Sequence, residues 1–191
     1  MVNLPDPIPE SYFSNQFCFQ ILHPDLVDLD YQAVMSSKDY LRRWSQSEWP
    51  TDNFSLDENL TDLEWHFEEQ VKRIAFTYSI LHPNKTICLG CIYLKPVHMI
   101  KMKQFDEEKL MSNFSHFCSY WVIDKIRDTE QEAMILSAII HWLTSGWQME
   151  SFFLTSNPYI PETDNFFRKN GMELFLILEQ PNRYQHCWKP K

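Results

Sequence analysis

Apolar positions along this chain change period several times, and each change marks an element. From Leu56 to Ile74 they fall at steps of three and four (Leu56, Leu60, Leu63, Phe67, Val71, Ile74), one apolar stripe on a helix. Ser55 and Glu58 stand just ahead of that stripe at the spacing of a capping box. The remaining faces carry Asp57, Glu58, Asp62, Glu64, Glu68 and Glu69, which read as a solvated face or as an acidic wall able to attract an amine. From Ala75 to Leu81 the period drops to two, with Phe76, Tyr78 and Ile80 on one side. His82-Pro83-Asn84-Lys85 reads as a turn, and the mostly apolar run Ile87 to Leu94 as the central arm of a hairpin. Phe117 to Ile126 reads as a further strand, and Ala133 to Trp147 as a long apolar helix.

The other segments complete a mixed pattern. Phe17 to Leu22, Ser151 to Thr155 and Glu173 to Glu179 read as strands, with Tyr184 to Trp188 as a last one. Leu26 to Trp44 reads as helix in two pieces, with Ser36 and Asp39 spaced to cap the second. Thr163 to Asn170 is a short helix stopped by Gly171. Residues 95 to 116 read as a loop with some helix around Glu107 to Met111. Residues 1 to 16, with Pro5, Pro7 and Pro9, read as an arm, and residues 17 to 191 as one domain. The strand–helix–strand unit over residues 117 to 155 can form a parallel crossover. The expected class is therefore α/β or α+β, a single mixed central sheet flanked by helices.

Composition narrows the function. A hydrophobic fraction of 44% supplies a real core for 191 residues. A formal charge of −9 argues against a duplex nucleic-acid binder, which needs a basic face. No apolar run approaches the roughly 18 residues of a membrane span. Five cysteines, an odd number, behind an opening MVNLPDPIPE that has neither a basic nor an apolar stretch, fit a reducing, cytoplasmic setting. Cys88-Leu89-Gly90-Cys91 has the spacing of half a zinc site. In a regular strand, residues three apart face opposite ways, so these read as core cysteines and no metal is expected. The chain has no HExxH, no GxSxG and no P-loop.

Arg127-Asp128-Thr129-Glu130-Gln131-Glu132 joins the Phe117 strand to the long helix. Strand, short turn and helix N-terminus is a phosphate-holding arrangement, because free N–H groups and the helix dipole point outward. The chain's three glycines, Gly90, Gly146 and Gly171, all lie elsewhere, and the turn carries three carboxylates. Thr129 and Glu132 have capping-box spacing, which would use two of the donors.

The order of elements, with AFTYSIL, HPNKT and ICLGCIYLKP for a central hairpin, SYWVIDKI for the following strand and NFFRKNGM for a late helix and turn, resembles the GNAT superfamily of acyl-CoA-dependent N-acyltransferases over residues 17 to 188. The CLGC-IYL-P wording is most similar to a bacterial GNAT-like subgroup. The resemblance implies acetyl-CoA-dependent N-acetylation of a small-molecule or peptide amine. It places the cofactor along Trp121, Val122 and Ile123, at the turn Arg127, Asp128, Thr129, Glu130, Gln131 and Glu132, and beside Asn157. The family's pyrophosphate turn reads Gln/Arg-x-x-Gly-x-Gly/Ala. Arg127 matches its first position, and Glu130 and Glu132 stand at the glycines, so the loop is degenerate. The family's late tyrosine acid falls on Phe167; Tyr120 reads as a candidate acid or as a core, hydrogen-bonded tyrosine, and no base is named. The alternative is a binding module that keeps the fold without acyl transfer.

Overall fold

A computed structural model of the chain describes residues 4–100, 110, 112–180 and 183–191. The strands are β1 (Ser11–Phe13), β2 (Cys18–Ile21), β3 (Phe76–Leu81), β4 (Cys88–Pro96), β5 (His116–Val122), β6 (Phe152–Ser156), β7 (Met172–Gln180) and β8 (Arg183–Pro190). They form one eight-stranded sheet in the order β1-β2-β3-β4-β5-β6-β8-β7. Every neighbouring pair is antiparallel except β5 and β6. The helices are α1 (Val27–Ser36), α2 (Lys38–Ser45), α3 (Leu56–Val71), α4 (Glu130–Ser145), which crosses from β5 to β6, and α5 (Pro161–Lys169). This is the mixed α/β sheet that the alternating periods predict.

Two apolar layers hold the helices to the sheet. On one face Phe76, Tyr78, Ile80, Ile92 and Leu94 pack against Ile135, Ile139 and Trp142 of α4. On the other, Leu81, Cys88, Cys91 and Trp121 pack against Val34 of α1, Leu41 of α2 and Leu63 of α3. The α3 capping box forms as read: Ser55 Oγ accepts from Glu58 N at 3.2 Å, and Glu58 Oε2 accepts from Ser55 N at 2.7 Å. Ser55→Ala should therefore cost about 1 kcal/mol, seen as a lower urea midpoint at unchanged slope.

Several expectations are corrected. The Ser36–Asp39 cap does not form, because Ser36 still lies in the last turn of α1 and its hydroxyl donates back to Ala33 O at 2.9 Å. Ser37 opens α2 instead, and its hydroxyl accepts from Asp124 N at 3.3 Å, tying the helix to the end of β5. The arm contributes β1 to the sheet edge, and Tyr78 Oη donates to Pro9 O at 2.7 Å. The last strand forms as read, as β8, and it lies between β6 and β7. The helix expected around Glu107 to Met111 lies outside the described residues, apart from Leu110.

The largest correction concerns β4. Pairing with β3 runs Ile80 to Gly90 and then Leu81 to Cys88, so Leu89 is an extra residue in a bulge. Gly90 takes the positive φ of 148° that the bulge requires. The extra residue shifts the alternation by one. Cys88 and Cys91 consequently share the α1–α3 face, while Leu89 and Ile92 share the other. The strand argument that pointed the two thiols apart does not hold here.

Candidate functional site

Strands β5 and β6 pair only over His116–Cys118 with Phe152–Leu154, and then part. From Ser119 to Val122, β5 continues against β4 alone, so the two strands form a V. Strand alternation turns the backbone groups of Tyr120 and Val122 toward the gap and those of Trp121 and Ile123 toward β4. Two bonds agree: Ile123 N donates to Leu89 O at 2.9 Å, and Tyr120 O accepts from Trp44 Nε1 at 3.1 Å. The β6 arm is fixed by a buried network. Ser156 Oγ donates to Asp164 Oδ1 at 2.6 Å and accepts from Trp188 Nε1 at 2.8 Å. His186 Nδ1 lies 2.6 Å from Asp164 Oδ2.

Helix α2 fills the V. Tyr40 bridges the segments that follow the two strands: the Arg127 guanidinium, past β5, stacks on its ring at 3.9 Å, and its hydroxyl meets Thr163 of α5, past β6. Burial first, then the Glu132 charge, pushes the Tyr40 phenol up to about 12. Trp44, one helical turn on, covers the edge of β5. Asn157 Nδ2 donates to Arg43 O, and Asn157 Oδ1 accepts from Tyr159 N at 2.8 Å. The void that remains, lined by Trp44, Ser119, Ser156 and Asn157, is only ≈ 10 Å³.

The turn at the head of α4 is also engaged by its own side chains. Asp128, at a positive φ of 55°, donates its N–H to Glu132 Oε2 at 2.5 Å. Glu132 N donates to Thr129 Oγ1 at 3.5 Å. The capping pattern is thus shifted by one: the Glu132 carboxylate reaches Asp128 N rather than Thr129 N. Tyr120 Oη donates to Glu132 Oε1 at 3.3 Å, and its ring stacks on Phe167 at 6.2 Å. The Tyr120 hydroxyl is thereby turned into the core, where burial raises it well above the usual phenol range. Burial also pushes Glu132 up to about 7, against the Asp128 N–H, the Tyr120 hydroxyl and the Arg127 charge. Arg127 pairs with Asp124 at 2.7 Å; Glu130 is exposed and Gln131 half-buried.

Beyond Trp44 the V meets a cavity of ≈ 410 Å³ between α2, α3 and the strands β4 and β5. Its wall includes Trp44, Asp62, Trp65, His66, Tyr93 and Lys95. His66 Nδ1 lies 3.3 Å from Thr77 Oγ1 and 3.5 Å from Glu69 Oε2. Burial, and then the Lys95 charge, hold His66 down at about 4, so the imidazole is neutral at pH 7. Glu69 is buried, and its Oε2 finds no hydrogen-bond partner among the described residues. Lys95 Nζ lies 5.7 Å from the Trp65 ring centre and 5.9 Å from that of Tyr93. Of the acidic wall read on α3, Asp62 reaches this cavity and Glu69 lies beneath it, while Asp57, Glu58, Glu64 and Glu68 face solvent. Sequence reasoning passes over His66, a lone histidine on an amphipathic helix. Only the approach of β3 and β4 gives it Thr77 and Tyr93 as neighbours.

No family model matches the chain, and no curated protein matches it. Solved structures do. RimL, a ribosomal alpha-N-protein acetyltransferase in complex with coenzyme A, is similar at a TM-score of 0.67 and 14% identity, over 97% of this chain and 96% of its own. The microcin self-immunity acetyltransferase MccE, in complex with acetyl-CoA and AMP, is similar at 0.68 and 11%, over 92% of each chain. A putative GNAT-family acetyltransferase from Bordetella pertussis is similar at 0.62 and 8%, over 96% of this chain and all of its own. The chain has the GNAT fold. In this fold's terms, the turn 127–132 heads the crossover helix α4, and the V between β5 and β6 is the point where the parallel strands separate.

Proposed function

We propose that the chain is an acetyl-CoA-dependent N-acetyltransferase whose acceptor amine enters the cavity under α3. One observation carries the reading: beyond Trp44, which closes the V, lies a cavity whose wall holds a neutral imidazole 3.5 Å from a buried carboxylate. Acetyl transfer needs a thioester carbonyl in the V and an uncharged nitrogen beside it. The backbone N–H groups of Tyr120 and Val122, on the open edge of β5, suit the carbonyl oxygen. The amine lone pair forms the new C–N bond, the C–S bond breaks, and coenzyme A leaves as thiolate. His66 is the group placed to take the proton that the nitrogen sheds, and Glu69 stands to steady the resulting imidazolium. Asp62 and the faces of Trp65 and Tyr93 suit an approaching ammonium. In this reading α2 withdraws Tyr40 and Trp44 as the thioester arm enters.

A second reading, a binding module without acyl transfer, is favoured by the filling of the V and by the Glu132 carboxylate on Asp128 N. Melting with acetyl-CoA separates the two. With a dissociation constant on the order of 1 μM, 100 μM ligand adds about 2.7 kcal/mol, a rise of roughly 5–10 °C for a domain of this size. Trp44→Ala, measured against its own baseline, should enlarge the rise by opening the V. A rise in Trp44→Ala alone would favour the binding module. No rise in either protein would end the acyltransferase reading.

A further inference from the structure

The bulge in β4 has a chemical consequence on the α1 side of the sheet. Asp30 of α1 and Cys88 and Cys91 of β4 bring three ligand atoms within 4.8 Å of one another. All three residues are buried, at 4%, 3% and 1% exposure. Cys91 Sγ stands 3.3 Å from Asp30 Oδ1. Two ligands of one tetrahedral zinc ion, at Zn–S and Zn–O distances of about 2.3 and 2.1 Å, stand roughly 3.5 Å apart. Among the described residues no basic side chain pairs with the Asp30 carboxylate. Burying such a group is costly without a cation or a full set of donors. The donors present are Asn59 Nδ2, at 3.0 Å from Oδ2, and the Cys91 thiol. Asn59 is itself buried, and it orients the carboxylate from outside as hydrogen bonds to metal-bound carboxylates do. Cys88 also forms part of the wall of a separate cavity of ≈ 230 Å³, bounded by Leu29, Ala33 and Ile123 and rimmed by the exposed Ile87.

We propose that Asp30, Cys88 and Cys91 form a zinc site that fastens α1 to the bulged strand β4. Three protein ligands leave one position for water. Both thiols release their protons to solvent on binding, so the affinity rises with pH. Two thiolates favour a thiophilic cation over magnesium or calcium. Cys91 is two residues from Tyr93 on the same face of β4, so the ion would brace one wall of the acceptor cavity from behind. The inference is independent of acyl transfer, since the ligands lie outside the V.

The test uses the full chain, reduced and freed of metal with a chelator, then titrated with zinc by calorimetry and with cobalt by absorption. One equivalent of zinc should bind, and cobalt should show thiolate-to-metal charge-transfer bands that zinc abolishes. Cys91→Ser and Asp30→Asn should each weaken zinc at least 100-fold, while Cys118→Ser, a buried cysteine elsewhere, should leave it unchanged. The cobalt spectrum of the unaltered chain decides even if a variant fails to fold. No binding at 100 μM zinc, cobalt bound without thiolate bands, or zinc binding indifferent to Cys91→Ser would each overturn the site.

Discussion

Gly90→Ala should leave no stably folded protein at 37 °C. A Cβ at Gly90 would stand 2.0 Å from Trp121 O and 2.8 Å from Val122 Cα. Both are backbone atoms of β5, so no side-chain rotation relieves the clash, and the ladder between two central strands must part. The φ of 148° adds strain for any L side chain. Together these should remove more than about 4 kcal/mol, a large share of the 5–15 kcal/mol typical of a domain. Gly171→Ala is the control. It also has a positive φ, 81°, but nothing lies within 4 Å of the added Cβ. Strain alone should cost it about 1–3 kcal/mol. Urea unfolding followed by circular dichroism compares them. A Gly90→Ala protein within 1 kcal/mol of the Gly171→Ala one would mean that β4 and β5 do not approach as described. The same glycine sets the face on which Cys88 lies, so the zinc site stands or falls with the bulge.

The elements with a single dominant cause were legible in the chain. The Phe76 alternation, a His-Pro-Asn turn and a central apolar run specify the hairpin, and β3 and β4 pair as expected. The helical spacing and one capping box specify α3, but Leu56, Val71 and Ile74 of the expected stripe are exposed, and the buried face carries Asn59, Leu63, Glu69 and Gln70. The strand–turn–helix at residues 117 to 145 is legible because its period changes at the turn. What escapes the sequence depends on contacts between distant segments. The bulge hides inside Cys88-Leu89-Gly90-Cys91, where every residue is apolar or small and a slip of one leaves no mark on the pattern. Tyr40 and Trp44 read as ordinary helix residues, and only the divergence of β5 from β6 makes them occupants of a gap. The turn at 127–132 shows its carboxylates plainly, but not that Asp128 adopts a left-handed conformation and offers its N–H to Glu132. His66 and Glu69 carry no motif, because their meaning comes from Thr77 and the cavity above them.

Glu132 should make the fold less stable as the pH rises from 4.5 to 7. Its carboxyl moves from an ordinary 4.5 to about 7 in the folded chain, with burial the largest cause. Between those values the folded state holds a proton that the unfolded state has released. Stability therefore falls with rising pH; the contribution is complete below about 4.5 and lost on passing through 7. At 1.36 kcal/mol per unit, the difference amounts to about 3 kcal/mol. Other carboxylates titrate in the same window, so the informative quantity is the difference from Glu132→Gln, which keeps the side chain neutral. A glutamine can accept from Asp128 N through Oε1 and donate to Tyr120 Oη through Nε2, the pairing a protonated glutamate would use. The two proteins should be close in stability near pH 4.5, and the variant should be more stable by about 3 kcal/mol at pH 8. Parallel curves would show that Glu132 does not hold its proton. The same charge faces any phosphate brought to the turn. In the acyltransferase reading, acetyl-CoA should therefore bind the unaltered chain more weakly at pH 8 than at pH 6, and Glu132→Gln should largely remove that difference. If the two proteins lose affinity in step as the pH rises, the turn is not where the pyrophosphate lies.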